Sequence, residues 1–274
     1  MKISTLLNAN CPEIAIDTLE SIITFIGKDN IVCVDSAFWD KFKNLSIPAY
    51  KLKGFYHNYP KAPYKNVALG LKTLYETFPD SDWFLYLEQD CLITSNEFIK
   101  NLRHADYQDV WMLGSNGKQE KTKIKLPLIE AIIKEEISTC HKMLGSCMFF
   151  CKEFLERLDE INFFEKLINI SATFTKGYFP QYTGYDLSEH LYPTLATHWG
   201  GDIGSFSSWD ETKKEWSGNY RKFPIRWKPE LNFEKENFKE ISIAHPIKTI
   251  DSEIRKYHKI KRKNIKTPTR PKLL

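Results

Sequence analysis

A buried strand that ends in acidic residues is the strongest constraint on the fold of this chain. Trp83–Leu87 is a run of five apolar or aromatic residues, typical of a strand covered on both faces, and it continues without a turn into Glu88-Gln89-Asp90. The carboxyl ends of strands in an open α/β sheet form its ligand crevice. Side chains two residues apart on an extended segment point the same way, so Glu88 and Asp90 can face one cation while Gln89 turns aside. Mg²⁺ and Mn²⁺ favour such carboxylates together with water and phosphate oxygens.

The alternative is that the two acids only cap the next helix. Thr94, Ser95 and Asn96 stand directly before a predicted helix over Glu97–Leu102, and they are better N-caps than Glu88. We therefore interpret the acidic pair as a candidate metal site.

The first 35 residues predict a βαβ unit. Ile3–Leu7 reads as a strand, Pro12 opens an amphipathic helix that Gly27 ends, and Asn30–Val34 reads as a second strand. Strand, helix and strand at this spacing predict parallel strands with a right-handed crossover. The glycine-rich dinucleotide fingerprint does not follow the first strand, which argues against a dinucleotide-binding protein.

Four polar residues in the first 66 positions are candidate nucleotide contacts. Asn8 and Asp35 follow the two strands, where Asp35 could accept a hydrogen bond from a ribose or a base, or could cap the next segment of the chain. Lys65 and Asn66 lie in the first turn of a predicted helix that begins at Tyr64, where a bound diphosphate would offset the unfavourable charge of the lysine. A solvated lysine is the alternative.

The middle of the chain predicts further strands and a long helix. Ala49–Leu52 and Asp109–Leu113 read as strands, and Lys142–Phe150 reads as an apolar strand that contains Gly145. A glycine inside a strand indicates a bulge or the close approach of a ligand. One amphipathic helix is predicted over Glu153–Leu167.

The second half adds candidate catalytic and metal-binding residues. Asp186 and Glu189 share one face of a predicted helix, so either could be a general base, or they could be a capping acid and a solvated acid. Ile241–Ala244 predicts a last strand. After it, His245 could reach a metal and Lys248 an anion.

Charge and cysteine usage suggest where the protein works. From Arg255 to Leu274 there are nine Lys or Arg and no acid, so the rest of the chain carries 30 basic and 35 acidic residues. This basic segment could contact an anionic membrane or remain a solvated tail. The six cysteines form no CxxC pair, and the start of the chain has too short an apolar run for a signal peptide. We expect a cytoplasmic protein, with the basic segment available to the inner face of the membrane.

These motifs, in this order, resemble the GT-A fold glycosyltransferases that use nucleotide-sugar donors. The resemblance implies an α/β fold with a Rossmann-like, mixed but mostly parallel sheet flanked by helices, and an irregular C-terminal acceptor region. It implies one catalytic domain over 1–250, with a donor half (1–115) and an acceptor half (116–250), followed by the basic tail 251–274.

The resemblance also implies roles for the candidate residues. Glu88-Gln89-Asp90 matches the family's DxD motif with Glu in place of the first Asp; Asp90 is the firmer ligand of Mn²⁺ or Mg²⁺, and Glu88 and His245 complete the metal site. Donor contacts are implied for Asn8, Asp35, Lys65, Asn66, Glu88, Gln89 and Lys248, and a catalytic base for Asp186 or Glu189.

The implied activity is transfer of a sugar from a nucleotide-diphosphate donor to a hydroxyl of a glycan or lipid-linked saccharide, in the synthesis of lipopolysaccharide, capsule or another surface glycoconjugate. Two alternatives stay open. One is a sugar-phosphate nucleotidyltransferase, although Asn8–Pro12 lacks the Gly- and basic-rich loop expected after its first strand. The other is a non-catalytic carbohydrate- or nucleic-acid-binding protein; nucleic acid is the less favoured of these ligands.

Overall fold

The structure is a computed structural model that describes residues 1–9, 11–35, 63–106, 108–115, 118–120, 127–169, 186–210, 212–226, 229–232 and 240–265. Its strands are β1 Ile3–Ala9, β2 Ile31–Asp35, β3 Trp83–Glu88, β4 Leu92–Ile93, β5 Val110–Gly114, β6 Lys118–Glu120, β7 Cys140–Lys142, β8 Cys147–Cys151, β9 Asp202–Ser205, β10 Ser207–Asp210, β11 Glu215–Gly218 and β12 Ile243–Ala244. Its helices are α1 Pro12–Phe25, α2 Pro63–Thr77, α3 Phe98–Asp106, α4 Pro127–Ile133, α5 Lys152–Glu160, α6 Phe163–Asn169, α7 Asp186–His198 and α8 Glu253–Lys263.

Six strands of the described chain form the central sheet, in the order β2-β1-β3-β8-β5-β9. β1 pairs in parallel with β2 and β3, and β5 pairs in parallel with β9, whereas β8 is antiparallel to both of its neighbours. The predicted βαβ unit is therefore confirmed, as is a mixed, mostly parallel sheet. The carboxyl ends of β1, β2 and β3 lie at one edge, which is where the candidate residues were expected.

The central strand β3 is buried on both faces, as its sequence predicts. Phe84 and Tyr86 belong to a core cluster on one side of the sheet, shared with α2, α5, α6 and α7. Trp83, Leu85 and Leu87 belong to a second cluster on the other side, shared with α1 and α3. All five are at most 1% exposed. The hydrophobic effect thus fixes this strand in the middle of the molecule and holds its acidic end in place.

Two predicted elements differ from the observed ones by more than a shift of a few residues at an end. The strand predicted over Lys142–Phe150 begins only at Cys147, so Gly145 precedes the strand instead of lying inside it. The single helix predicted over Glu153–Leu167 is two helices, because Asn162 adopts a left-handed conformation with φ of 55° between them. Asparagine tolerates this conformation better than most residues. The predicted strand Ala49–Leu52 lies outside the described residues.

The first half of the basic C-terminal segment is a helix packed on the domain. Ser252 caps α8 by accepting a hydrogen bond from the Arg255 backbone N–H, 3.3 Å away. Arg255 and Arg262 are buried and pair with Asp17 of α1. The basic segment was predicted to be available to an anionic membrane, but two of its arginines are buried in the fold.

Among the described helices, none combines the length and the apolar composition that a bilayer-spanning segment requires. All six cysteines are described, and none of them forms a disulfide.

Candidate active site

A short antiparallel pairing brings His245 to the acidic end of β3. β4 follows the acidic residues at once and pairs with β12, with Ala244 opposite Leu92. The Ile247 N–H then donates to the Asp90 carbonyl at 2.8 Å. Two segments that are about 150 residues apart in sequence are thus fixed side by side through their backbones. The structure brings together the three residues that the resemblance implies as metal ligands.

The imidazole of His245 faces both carboxylates. Its Nε2 lies 3.3 Å from Asp90 Oδ1 and 3.9 Å from Glu88 Oε2. Its Nδ1 lies 2.7 Å from the Arg226 carbonyl, so Nδ1 carries a proton and donates it there. This hydrogen bond leaves the Nε2 lone pair directed at the acids when the ring is neutral. A backbone carbonyl on the far nitrogen is a common way to orient a metal-binding histidine.

The two carboxylates have different electrostatic environments. Burial raises the pKa of Glu88 to about 7, and the neighbouring charge of Asp90 adds to this effect. Burial also opposes ionisation of Asp90. When the His245 ring is protonated, its hydrogen bond to Asp90 and its positive charge, together with the charge of Lys248, outweigh the effect of burial, and the pKa of Asp90 is lowered. Crowded carboxylates of this kind favour a bound cation, because the cation offsets their mutual repulsion.

Gln89 turns away from the two acids, as predicted for the middle residue of the motif. Its Oε1 accepts a hydrogen bond from the Cys11 N–H, 2.6 Å away at the start of α1. Its carbonyl accepts from the Thr18 hydroxyl on the same helix. The side chain that the resemblance implies as a donor contact therefore ties the loop to α1.

Cys91 is also close enough to share a cation with Asp90 and His245, since one ligand atom from each lies within 4.8 Å of the others. The Cys91 thiol, however, donates to the Ser146 carbonyl at 3.1 Å, and burial raises its pKa well above the ordinary value. A neutral thiol is a poor ligand, and hard divalent ions prefer oxygen. Of the three clustered residues, Asp90 and His245 therefore suit Mg²⁺ or Mn²⁺ better than Cys91 does.

Glu189 is the other buried acid beside this site. Its Oε1 accepts from the Gly145 N–H at 2.9 Å, and its Oε2 lies 3.8 Å from Lys142 Nζ. A Cβ on Gly145 would lie 3.0 Å from Glu189 Cγ, so a glycine allows the close approach. The next residue, Ser146, accepts a hydrogen bond from the Glu88 N–H at 2.9 Å, so Glu189 is connected to the end of β3 through two neighbouring residues. The glycine predicted to mark a bulge or a ligand instead accommodates this glutamate.

The two candidate nucleotide contacts at the ends of β1 and β2 are Asn8 and Asp35. Asn8 pairs in register with Glu88, and its amide donates to the Tyr86 hydroxyl at 3.1 Å. Asp35 ends β2 opposite Ala9. The side chain of Asp35 lies outside the described residues, as does that of Asp186, whose backbone begins α7.

The candidate lysines are held differently from each other. Lys65 is buried, its Nζ donates to the Ile168 carbonyl at 2.8 Å, and burial lowers its pKa. Asn66 is half-buried beside it on α2. Lys248 is exposed, and its backbone N–H donates to Glu230 Oε1 at 2.7 Å. Of the two lysines, Lys248 is the one whose charge acts on Glu88 and Asp90.

Sequence reasoning missed several residues that support the site. The Arg226 carbonyl and the Ser146 hydroxyl, 3.2 Å away, both contact His245 Nδ1. Thr18 and Arg255 both donate hydrogen bonds to the backbone carbonyl of Gln89, between the two acids. Asp17 and Thr18 lie among the buried residues of the amphipathic helix α1, and a polar pair at such positions is a sequence signal for a buried polar contact.

Comparisons with known proteins support the fold. No protein-family model matches the sequence, and no curated protein matches it either. A glycosyltransferase involved in glycosylation of the major capsid of PBCV-1 has a similar structure, with a TM-score of 0.51 and 12% identity over 95% of this chain and 100% of the other. Weaker similarity extends to the galactosyltransferase LgtC in complex with donor and acceptor sugar analogs (TM-score 0.44, 11% identity, 98% of both chains). It also extends to the glycosyltransferase GlyE of Streptococcus pneumoniae (TM-score 0.41, 10% identity, 75% of this chain and 45% of the other).

Identities this low bear on the fold alone. The similarity to the capsid glycosyltransferase extends over nearly the whole chain, and the strand that ends in the acid-x-acid motif lies at the centre of the sheet. The chain has a GT-A-like glycosyltransferase fold, as its sequence resemblance implied.

Proposed function

We propose that this protein is a glycosyltransferase that moves a sugar from a nucleotide-diphosphate donor to a hydroxyl acceptor. The observation that carries the proposal is the convergence of Glu88, Asp90 and His245 at the carboxyl edge of the sheet, with His245 Nε2 3.3 Å from Asp90 Oδ1. That edge is where open α/β folds bind their ligands. The shared fold with a solved glycosyltransferase supports the same assignment.

The three side chains suit a divalent cation, because they supply two carboxylates and an imidazole. The Nδ1 of that imidazole already donates a hydrogen bond to the Arg226 carbonyl, which orients Nε2 toward the carboxylates. When bound, Mn²⁺ or Mg²⁺ would act as a Lewis acid for the diphosphate leaving group. Lys248 lies close enough to act electrostatically on both acids, so its exposed ammonium is proposed to bind the same diphosphate.

Glu189 is the proposed catalytic acid-base residue on the acceptor side. It is only 4% exposed, and its two oxygens are oriented by Gly145 and Lys142. A carboxylate held in this way can remove the proton of an attacking hydroxyl. Asp186, three residues earlier on α7, stays the second candidate for that role.

The donor is proposed to extend from this centre along the ends of β1 and β2. Asn8 is the second-last residue of β1 and Asp35 is the last of β2, and both would contact the nucleoside. Lys65, Asn66 and Gln89 stay proposed donor contacts by resemblance; the side chains of Lys65 and Gln89 already form hydrogen bonds with Ile168 and Cys11. The proposed acceptor is a glycan or lipid-linked saccharide of a surface glycoconjugate.

A thermal-shift screen against nucleoside diphosphates and nucleotide sugars, each with and without Mn²⁺, tests the proposal. A ligand at 100 times its Kd stabilises the native state by about 2.7 kcal/mol, which corresponds to a rise in Tm of about 5 °C or more. We expect one nucleotide base to give this rise only with metal. Release of the nucleoside diphosphate from the matching nucleotide sugar then reports turnover.

Asp90→Asn and Asp202→Asn are the matched variants. Asp202 is exposed at the start of β9, on the opposite edge of the sheet. We expect Asp90→Asn to lose both the metal-dependent shift and turnover, and Asp202→Asn to keep both. A screen in which no nucleotide raises Tm with any metal, or a shift that persists in Asp90→Asn, would overturn the proposal. Release of pyrophosphate from a nucleoside triphosphate and a sugar phosphate would instead identify a nucleotidyltransferase.

A further inference from the structure

Arg255 of the C-terminal helix α8 contacts the acid-x-acid loop, which is Glu88-Gln89-Asp90. It is 1% exposed, although it is an arginine in a strongly basic segment. Its Nη1 pairs with Asp17 Oδ2 at 2.6 Å and lies 3.3 Å from Thr18 Oγ1. Its Nη2 donates to the Gln89 carbonyl at 3.2 Å and to the Ile247 carbonyl at 2.8 Å, and its Nε donates to the latter at 3.2 Å.

The two carbonyls belong to the two halves of the proposed metal site. Gln89 is the residue between the two carboxylates, and Ile247 lies two residues after His245. One guanidinium therefore fastens both segments to each other and, through Asp17, to helix α1.

We infer that Arg255 is a positioning residue of the metal site, which sets the distance between the acid-x-acid loop and the histidine segment. The inference rests on the proposed function, because it assumes that these two segments together bind a cation. The hydrogen bonds of the Arg255 guanidinium go to none of the three ligand side chains. Arg255 acts through the backbone on either side of them.

The chemistry of the side chain suits this role. A guanidinium has five N–H donors in a rigid plane, so it can hold a carboxylate and two carbonyls at once with fixed angles. A lysine ammonium is a single point with rotatable donors and cannot fix the two segments in the same geometry. Partners that orient metal ligands typically change metal affinity by about 10- to 100-fold when they are removed.

Arg262, about two helical turns further along α8, offers a matched control. Its Nη2 pairs with the other oxygen of Asp17, and it lies 3.6 Å from Glu20 Oε2. These contacts reach neither Gln89 nor Ile247. After Arg255→Met, Asp17 keeps Arg262 as a partner; after Arg262→Met it keeps Arg255. Both variants therefore leave the buried carboxylate paired.

The experiment measures the Kd of Mn²⁺ for the full-length protein by calorimetry or by the paramagnetic resonance signal of free Mn²⁺. We expect Arg255→Met and Arg255→Lys to weaken Mn²⁺ binding by about 10-fold or more, and Arg262→Met to change it by less than about twofold. Hydrogen exchange provides a second readout. We expect faster exchange in peptides that cover 88–91 and 245–248 for the Arg255 variants alone.

The outcomes separate this inference from the proposed function. A wild-type protein that binds no Mn²⁺, with or without a nucleotide, would overturn both. Wild-type binding together with an Arg255→Lys protein of unchanged Kd would overturn the positioning role and leave the proposed function standing. Equal losses of affinity in Arg255→Lys and Arg262→Met would also overturn it, because the effect would then come from the stability of α8. If Arg255→Met fails to fold, the Arg255→Lys comparison decides the matter alone.

Discussion

Acidification is expected to destabilise the folded protein through one buried histidine of the C-terminal helix. His258 lies on α8 and is 1% exposed. Burial, and next the nearby charges of Lys261 and Arg262, lower its pKa to about 3, and Asp17 opposes them only in part. The folded protein therefore keeps His258 neutral at pH values where the unfolded chain protonates it.

The sign and size of the effect follow from this difference. The ordinary histidine pKa of 6.5 describes the unfolded chain. Above pH 6.5 both states are neutral and His258 adds no pH dependence. As the pH falls from 6.5 toward 3, only the unfolded state gains the proton, so stability is lost at about 1.4 kcal/mol per pH unit. At pH 5 the loss amounts to about 2 kcal/mol.

The assay is urea unfolding of the wild type and of His258→Gln at pH 7.5 and pH 5.0. We expect the decrease in the free energy of unfolding between the two pH values to be about 2 kcal/mol smaller in His258→Gln. His104→Gln, which removes an exposed histidine of α3, is the control and should keep the wild-type decrease. Equal decreases in the wild type and His258→Gln would refute the reasoning.

Three further predictions test the core and the site. Phe149→Ala removes a fully buried ring that contacts two other aromatic rings, so it should cost about 3–5 kcal/mol of unfolding free energy; a loss below about 1 kcal/mol in urea titrations would contradict the packing. Gly145→Ala should push Glu189 aside, lowering donor turnover far more than Tm, whereas unchanged turnover would argue against the role of Glu189. Because the pKa of Glu88 is raised to about 7, its ionisation costs metal-free protein stability as the pH rises from 4.5 to 7. Glu88→Gln should therefore raise the free energy of unfolding in EDTA at pH 8 by up to about 3 kcal/mol. An equal rise at pH 4.5 would show that ionisation of Glu88 is not the cause.

The centre of the fold could be predicted well because the information that specifies it is local. The apolar run Trp83–Leu87 could only be covered on both faces, and the two-residue period then placed Glu88 and Asp90 on the same side. The first βαβ unit was equally readable from its helical spacing and its strand composition. These features depend on residues within about 30 positions of each other, so backbone geometry alone relates them.

Boundaries that depend on single residues were predicted less well. The break at Asn162 needed a left-handed residue in an otherwise helical pattern, and the amphipathic period continues across it without a signal. Gly145 was assigned to a strand because its neighbours are apolar. Gly145 in fact packs against Glu189 of α7, which is 44 residues away in sequence. A local sequence pattern carries no information about such a contact.

The sequence by itself determined that a buried parallel strand ends in two carboxylates and that a histidine follows a late strand. Tertiary structure alone decided that His245 meets those carboxylates, that the Arg226 carbonyl fixes its tautomer, and that Arg255 of a basic segment is buried on Asp17, 238 residues away in sequence. The physical reason is that local periodicity reports which face of an element is apolar. It does not report which distant polar group will satisfy a buried charge, because that partner is chosen only when the elements pack.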